Sequence, residues 1–190
     1  AGIPPVLDER NAYLDRWGIE RRLPEEGGHY YVSRPPLAKV ERASELDAFA
    51  WPEPLTDYSE LADRAKALRR SSDKALVLNP EVGFLHQTQF LRGFDLWLMD
   101  LVSDPGLAEA MMDRALEIWL VETGAMLDQV GPYSDVVIYA DDLAFQNQTM
   151  FSPRVFRRSV KPRLRRAFDR LKASGLPLLQ HTCGNVWPLI

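Results

Sequence analysis

The chain has 190 residues, 46% of them hydrophobic and 26% charged, enough to bury one sizeable core. Its formal net charge of -4 argues against a general nucleic-acid or anionic-membrane binder, and no run of about eighteen apolar residues is present to span a bilayer. The single cysteine, Cys183, excludes an internal disulfide and suits a reducing cytoplasm.

The opening AGIPPVLDERN has no basic region followed by an apolar stretch, so it does not read as a secretory signal. It also lacks an initiator Met, and the last residues fall just after a turn, so a longer parent protein is expected. Residues 1–55 are dense in Pro, Gly and charge, with scattered Trp and Tyr that a disordered tail would lack. Short β segments and turns packed on a larger body are predicted there. A helix is predicted over 58–70, where Leu61, Ala65 and Leu68 recur at helical spacing. KALVLNP reads as a short buried strand closed by Pro80.

From Gly83 the pattern is helical through FLHQTQFLR, breaks at Gly93 and resumes in FDLWLMDLVSD. Asp104 and Pro105 open the longest helix, as N-cap and first-turn residue. It continues through LAEAMMDRALEIWLVETGAMLDQV, apolar over more than one face, so it is expected to be well covered. GPYSD is a turn, and VVIYA is a β-branched strand ending at Asp141 and Asp142. Ser152 and Pro153 start another helix, with an apolar stripe of Phe156, Val160, Leu164, Phe168 and Leu171. Pro162 inside it should kink or divide it. Gly175 ends it, and LPLLQ is the next strand. Alternating strands and helices with short apolar strands predict an α/β fold with parallel sheet covered by helices. A TIM-type (β/α)8 barrel, incomplete in this chain, is favoured over a doubly wound sheet. The expected organisation is one domain, with 56–190 as the partial barrel and 1–55 packed on it.

Two strand ends carry the chemistry. Residues i and i+2 of a strand point to the same side, so His181 and Cys183 can share a target while Thr182 faces away. Imidazole nitrogen and thiolate sulfur are good zinc donors, but a catalytic zinc takes three protein ligands. The third would be His86, an acid such as Asp141 or Asp142, or a residue outside this chain. The alternative is a buried Cys beside a hydrogen-bonded core His.

YADDLAFQNQ sets two carboxylates at the carboxyl end of a strand, where active sites of such sheets form. Adjacent strand residues face opposite ways, so one of Asp141 and Asp142 is expected in the site, holding a cation or acting as general base. The alternative is a turn cap. Gln146, Asn147 and Gln148 extend the polar surface there. Asp141 and Asp142 are thus the catalytic candidates, Gln146 and Asn147 the cofactor-binding ones, and His181 and Cys183 the metal ligands. The segment 153–172 holds nine Lys or Arg and one acid. It reads as a solvated outer helix or as a docking face for an acidic partner or phosphate. It has no interleaved aromatics on its polar face to stack bases. His86, Arg92 and Trp97 read as residues satisfied near a core, and His29 carries no signal.

Taken in order, DRWGIE, PPLAKVERASELDAFAWPEP, LRGFDLWLMDLVSDP, YADDLAFQNQTMFSPRVFRRSVKPRL and LLQHTCGNVWPLI resemble the uroporphyrinogen decarboxylase superfamily, in its branch related to corrinoid-dependent methyltransferases. The resemblance implies a TIM barrel whose funnel opens at the carboxyl ends of the strands. It also implies a zinc ion held by the His and Cys of His-x-Cys, here His181 and Cys183, and by a further Cys later in the chain. That zinc would activate a thiol or similar small-molecule acceptor as a thiolate, which takes a methyl group from a methylcorrinoid on a partner protein. Family members continue past the position of Ile190 and begin before that of Ala1, where true decarboxylases carry arginines for the substrate's carboxylates. A partial barrel exposes edges, so either a longer parent or support from other copies of the chain is expected. The alternatives are decarboxylation of uroporphyrinogen, with Asp141 or Asp142 contacting pyrrole N–H groups, and a non-catalytic docking module using the basic helix.

Overall fold

The structure is a computed structural model and describes residues 7–80 and 82–190, so the first six residues of the N-terminal stretch lie outside the described residues. The N-terminal part forms a small antiparallel sheet of β1 (Ala12–Leu14), β2 (Glu20–Arg22) and β3 (Tyr31–Arg34), with β2 in the middle. Asp15 makes the β1–β2 turn by accepting the backbone N–H groups of Trp17 and Ile19. Trp17 and Ile19, with Leu37 from the loop that follows and Leu46 from the 3-10 helix Ala43–Ala48, enter the same hydrophobic cluster as the helices. Arg16 pairs with the buried Glu122 at 2.7 Å, tying this segment to the longest helix. Short β segments packed on a larger body are what the aromatic content predicts.

The second sheet is parallel and three-stranded, with β5 (Val136–Ala140) between β4 (Val77–Leu78) and β6 (Leu178–His181). Helices connect and cover it: α1 (Ser59–Ser71) before β4, then α2 (Phe84–Arg92), α3 (Phe94–Ser103) and α4 (Pro105–Val130) before β5. After β5 come α5 (Pro153–Val155), a π-turn over Phe156–Val160, and α6 (Lys161–Lys172). The predicted caps are in place. Asp104 accepts from Leu107 N–H at 3.0 Å, and Ser152 accepts from Val155 N–H at 3.3 Å. Pro162, which lacks an N–H, divides its helix by widening the turn just ahead of it into π geometry.

Val137 and Tyr139 of β5 point into the helix layer, where Tyr139 meets the Trp119 ring at 5.4 Å and the Phe168 ring at 5.3 Å, both edge-on. Arg158, Arg163, Arg166 and Arg170 pair with Glu109, Asp113, Glu117 and Asp128 of α4. Four of the nine basic residues of 153–172 are therefore used inside the fold, on the seam with α4.

Two elements differ from expectation. In α1 it is the alanine side, Ala62 and Ala65, that packs, while Leu61 and Leu68 stay exposed. Small side chains let α1 approach α4 closely, and Gln129 of α4 fixes the entry by accepting from Tyr58 N–H. β6 was expected to be covered, yet Leu179 is 55% exposed. It has a neighbour strand on one side only, and the helix cover stops at α6. Among the described residues the parallel strands number three and form no closed ring. No helix of the described residues is long and apolar enough to cross a membrane.

Candidate functional site

The register of β5 and β6 pairs Ala140 with His181, so the two strands run out side by side. Beyond that pair Asp142 comes opposite Cys183, whose backbone N–H donates to Asp142 Oδ1 at 2.6 Å. Thr182 faces away, as a strand residue between His181 and Cys183 must, and its Oγ1 accepts from Leu143 N–H at 2.9 Å. Gly184 turns the chain back with φ 79°, and a side chain there would also run into the Phe145 carbonyl, which accepts from Asn185 N–H at 3.1 Å.

Asp142, His181 and Cys183 thereby each bring one ligand atom into a group in which all lie within 4.8 Å of one another. His181 Nε2 is 3.6 Å from Cys183 Sγ and 3.9 Å from Asp142 Oδ1. Donors about 2.0–2.3 Å from one tetrahedral zinc ion lie about 3.3–3.8 Å apart, so the His181–Cys183 pair is at ligating distance and Asp142 would have to move inward to join it. The donor set of one imidazole, one sulfur and one carboxylate suits zinc, and three protein ligands leave a fourth position for a reactant. His181 and Cys183 are exposed, so solvent reaches them. Hydrogen bonding to the Asp142 carboxylate, and then its charge, raise the Cys183 thiol above its ordinary range. A cation placed between them reverses that influence and favours the thiolate.

Asp141 has a different place. It is fully buried, accepts from Leu85 N–H at 3.1 Å and His86 N–H at 2.9 Å, and receives the Tyr139 hydroxyl. It caps the start of α2, favourable for a carboxylate at the positive end of a helix, and the Tyr139 hydroxyl is held strongly protonated by burial and by the adjacent carboxylate. Gly83 is required there, because a Cβ would collide with the Asp141 carboxylate. Of the two acids, then, Asp142 faces the cluster and Asp141 supports it from beneath.

His86, which the sequence offers either as a residue satisfied near the core or as a third ligand, bridges the two acids. Its Nδ1 lies 2.9 Å from Asp141 Oδ1, out of line for a hydrogen bond, and its Nε2 lies 3.7 Å from Asp142 Oδ2. Burial lowers the affinity of this imidazole for a proton, but Asp141 and Asp142 outweigh burial and the net shift is upward. The available signal in the sequence was its position three residues after Gly83, just beyond a strand end neighbouring VVIYA. Gln146 and Asn147 are exposed on the loop that follows Asp142, and the structure does not bring them into the cluster.

A solved structure of a methyltransferase from Methanosarcina mazei resembles the chain with a TM-score of 0.65 at 21% sequence identity. The match covers 98% of this chain and 52% of that one, so the chain spans about half the length of that protein, and a likeness at this identity carries the fold alone. No curated protein matches the sequence. The sequence model described as uroporphyrinogen decarboxylase (URO-D) matches residues 15–190, nearly the whole length. The chain belongs to the uroporphyrinogen decarboxylase family.

Proposed function

We propose that the chain is part of a zinc-dependent methyl-transfer enzyme in which Asp142, His181 and Cys183 hold the metal at the mouth of a TIM-type barrel. The observation that carries this reading is the meeting of three chemically distinct donors within 4.8 Å at the carboxyl ends of adjacent parallel strands. Zinc bound there would hold an acceptor thiol as a nucleophilic thiolate, ready to take a methyl group from a methylcorrinoid. The chain's own residues orient and support. Asp141 fixes the start of α2 and with it His86. His86 Nε2 lies 3.7 Å from Asp142 Oδ2, the oxygen that the Cys183 N–H does not use, where an outer partner of a metal-ligating carboxylate would sit. Gln146 and Asn147, exposed on the adjacent loop, would meet the corrinoid as it approaches. An exposed thiol serving as a ligand requires a reducing compartment, the cytoplasm.

The resemblance to a methyltransferase fold supports this reading, as does the nearness of the Asp142 carboxylate to His181 and Cys183. Decarboxylation of uroporphyrinogen is the second reading, favoured by the family match over residues 15–190. It needs a free carboxylate facing pyrrole N–H groups, whereas Asp141 is saturated with donors and Asp142 is engaged by Cys183 and flanked by two histidines.

The test is methylation of a small thiol by methylcobalamin, assayed with the full-length zinc-loaded protein. Methylated thiol is expected, falling at least a hundredfold in Cys183→Ser. Coproporphyrinogen formed from uroporphyrinogen, with no thiol methylation, would replace this reading with the second.

A further inference from the structure

A groove of about 910 Å³ lies between α6 and the residues that follow β6. Leu164 and Phe168 of α6 form one apolar wall, and Val186, Leu189 and Ile190 form the other. Thr182, which faces away from His181 and Cys183, also lines it, so the groove is on the helix side of the sheet and apart from the metal cluster. Four exposed bases complete the lining: Arg157, Lys161, Arg165 and Lys172.

The basic segment thus carries two sets of charges, and they are treated differently. Arg158, Arg163, Arg166 and Arg170 each meet an acid of α4. On the groove side, Arg157, Lys161 and Lys172 have no acid partner among the described residues. Arg165 reaches only Asp169, one turn on in its own helix, at 3.9 Å. Like charges four apart on one helix face repel, so this row is stabilised by opposite charge brought from outside. Because apolar surface lies beside the row, the molecule that brings the charge must bring apolar surface too.

The winding of the chain says where such a molecule comes from. The crossovers from β4 to β5 and from β5 to β6 step across the sheet in one direction, and the helices they deliver, α4 and α6, pack on each other. Crossovers of one hand that advance in one direction stay on one face of the sheet. A further helix after β6 would therefore land beside α6, in the groove. The strand has one side unpaired, and the chain spans about half the length of the solved methyltransferase whose fold it shares.

We infer that the groove seats an acidic amphipathic helix of the longer polypeptide, downstream of Ile190, with Asp or Glu residues set against Arg157, Lys161 and Lys172 and an apolar stripe on Leu164 and Phe168. On this account α6 is clamped between two acidic helices, α4 and the downstream one, through opposite flanks.

The experiment is carbodiimide coupling of the full-length protein, which joins a lysine to a carboxylate only where the two touch, with the products mapped by mass spectrometry. Lys161 or Lys172 couples to an Asp or Glu downstream of Ile190 in the same chain. Mixing isotopically labelled with unlabelled protein separates the sources: coupling only between different copies gives the groove to a second copy and overturns the assignment. Coupling to Asp169 alone, or none at either lysine, overturns it as well. Reversing both charges, Lys161→Glu with Lys172→Glu, lowers the Tm of the full-length protein by about 2–4 °C at low ionic strength, and by less than half of that in 1 M salt. A Tm unchanged by the reversal contradicts an acidic occupant. The coupling is read on the wild type, so it decides the matter even if the reversed variant does not fold. Neither readout involves metal or methyl transfer, so both stand apart from the function proposed above.

Discussion

Arg92 and Asp100 are each less than a tenth exposed and meet at 2.7 Å, and Arg92 also donates to the carbonyls of Leu37 and Val40 at 2.7 Å each. Arg92→Met leaves Asp100 buried without its partner and should cost roughly 3–5 kcal/mol by denaturant unfolding. Adding Asp100→Leu should recover most of that loss; a double variant as unstable as the single would show that the carbonyl contacts dominate. At Gly83 the conflict is steric. Gly83→Ala presses a methyl into the Asp141 carboxylate, so a lowered Tm and a displaced His86 ring are expected. Residues whose role is local, such as the caps Asp104 and Ser152, were legible in the sequence because their partners lie three positions away. The seat of His86 between Asp141 and Asp142 was not, since it depends on how β4 and β5 pair across more than fifty residues.

The elements are held by seams that the sequence shows only as composition. The nine bases of 153–172 looked like a solvated or docking face, but four arginines face acids spaced along α4. These partly exposed pairs contribute little singly, about 0–1 kcal/mol each, so Asp113→Asn should lower stability only slightly, and less so in high salt. Asp135 links three elements, accepting from Leu76 N–H at 2.8 Å and from Arg69 at 2.6 Å. The Leu76 N–H first, then Arg69, lower its carboxyl from the model-peptide value of 3.8. Because the folded value is depressed, this support is present above the unfolded value and is lost as pH falls through the folded one. Below about pH 4 wild type should therefore converge in stability with Asp135→Asn; a gap that persists through acid unfolding would contradict this. Apolar periodicity located α1 correctly and included the buried Ala65, but grouped it with Leu61 and Leu68, which stay exposed, because periodicity measures hydrophobicity and not the closeness of approach that α4 demands.

On the scale of the whole molecule, parallel strands alternating with helices were readable from the short apolar runs and their Gly and Pro punctuation. The exposure of β6 was not, because a strand's apolar character reports what it pairs with in the complete fold and not what covers it here. Leu179, Trp187 and Ile190 are exposed, beside a groove of about 910 Å³ between α6 and the last residues. A free strand edge next to apolar surface favours association, so the 190-residue chain alone should sediment as concentration-dependent oligomers. A monodisperse monomer at all concentrations would mean that these surfaces are less adhesive than their composition implies.

Everything proposed about chemistry turns on whether one ion is gripped by Asp142, His181 and Cys183 together. Zinc K-edge absorption spectroscopy of the purified full-length protein, with metal content measured in parallel, tests this directly. One zinc per chain is predicted, with sulfur at about 2.3 Å and nitrogen or oxygen neighbours at about 2.0–2.2 Å, and with the sulfur shell diminished in Cys183→Ser. Zinc absent from the protein, or bound with a spectrum that Cys183→Ser and Asp142→Asn leave unaltered, would contradict it.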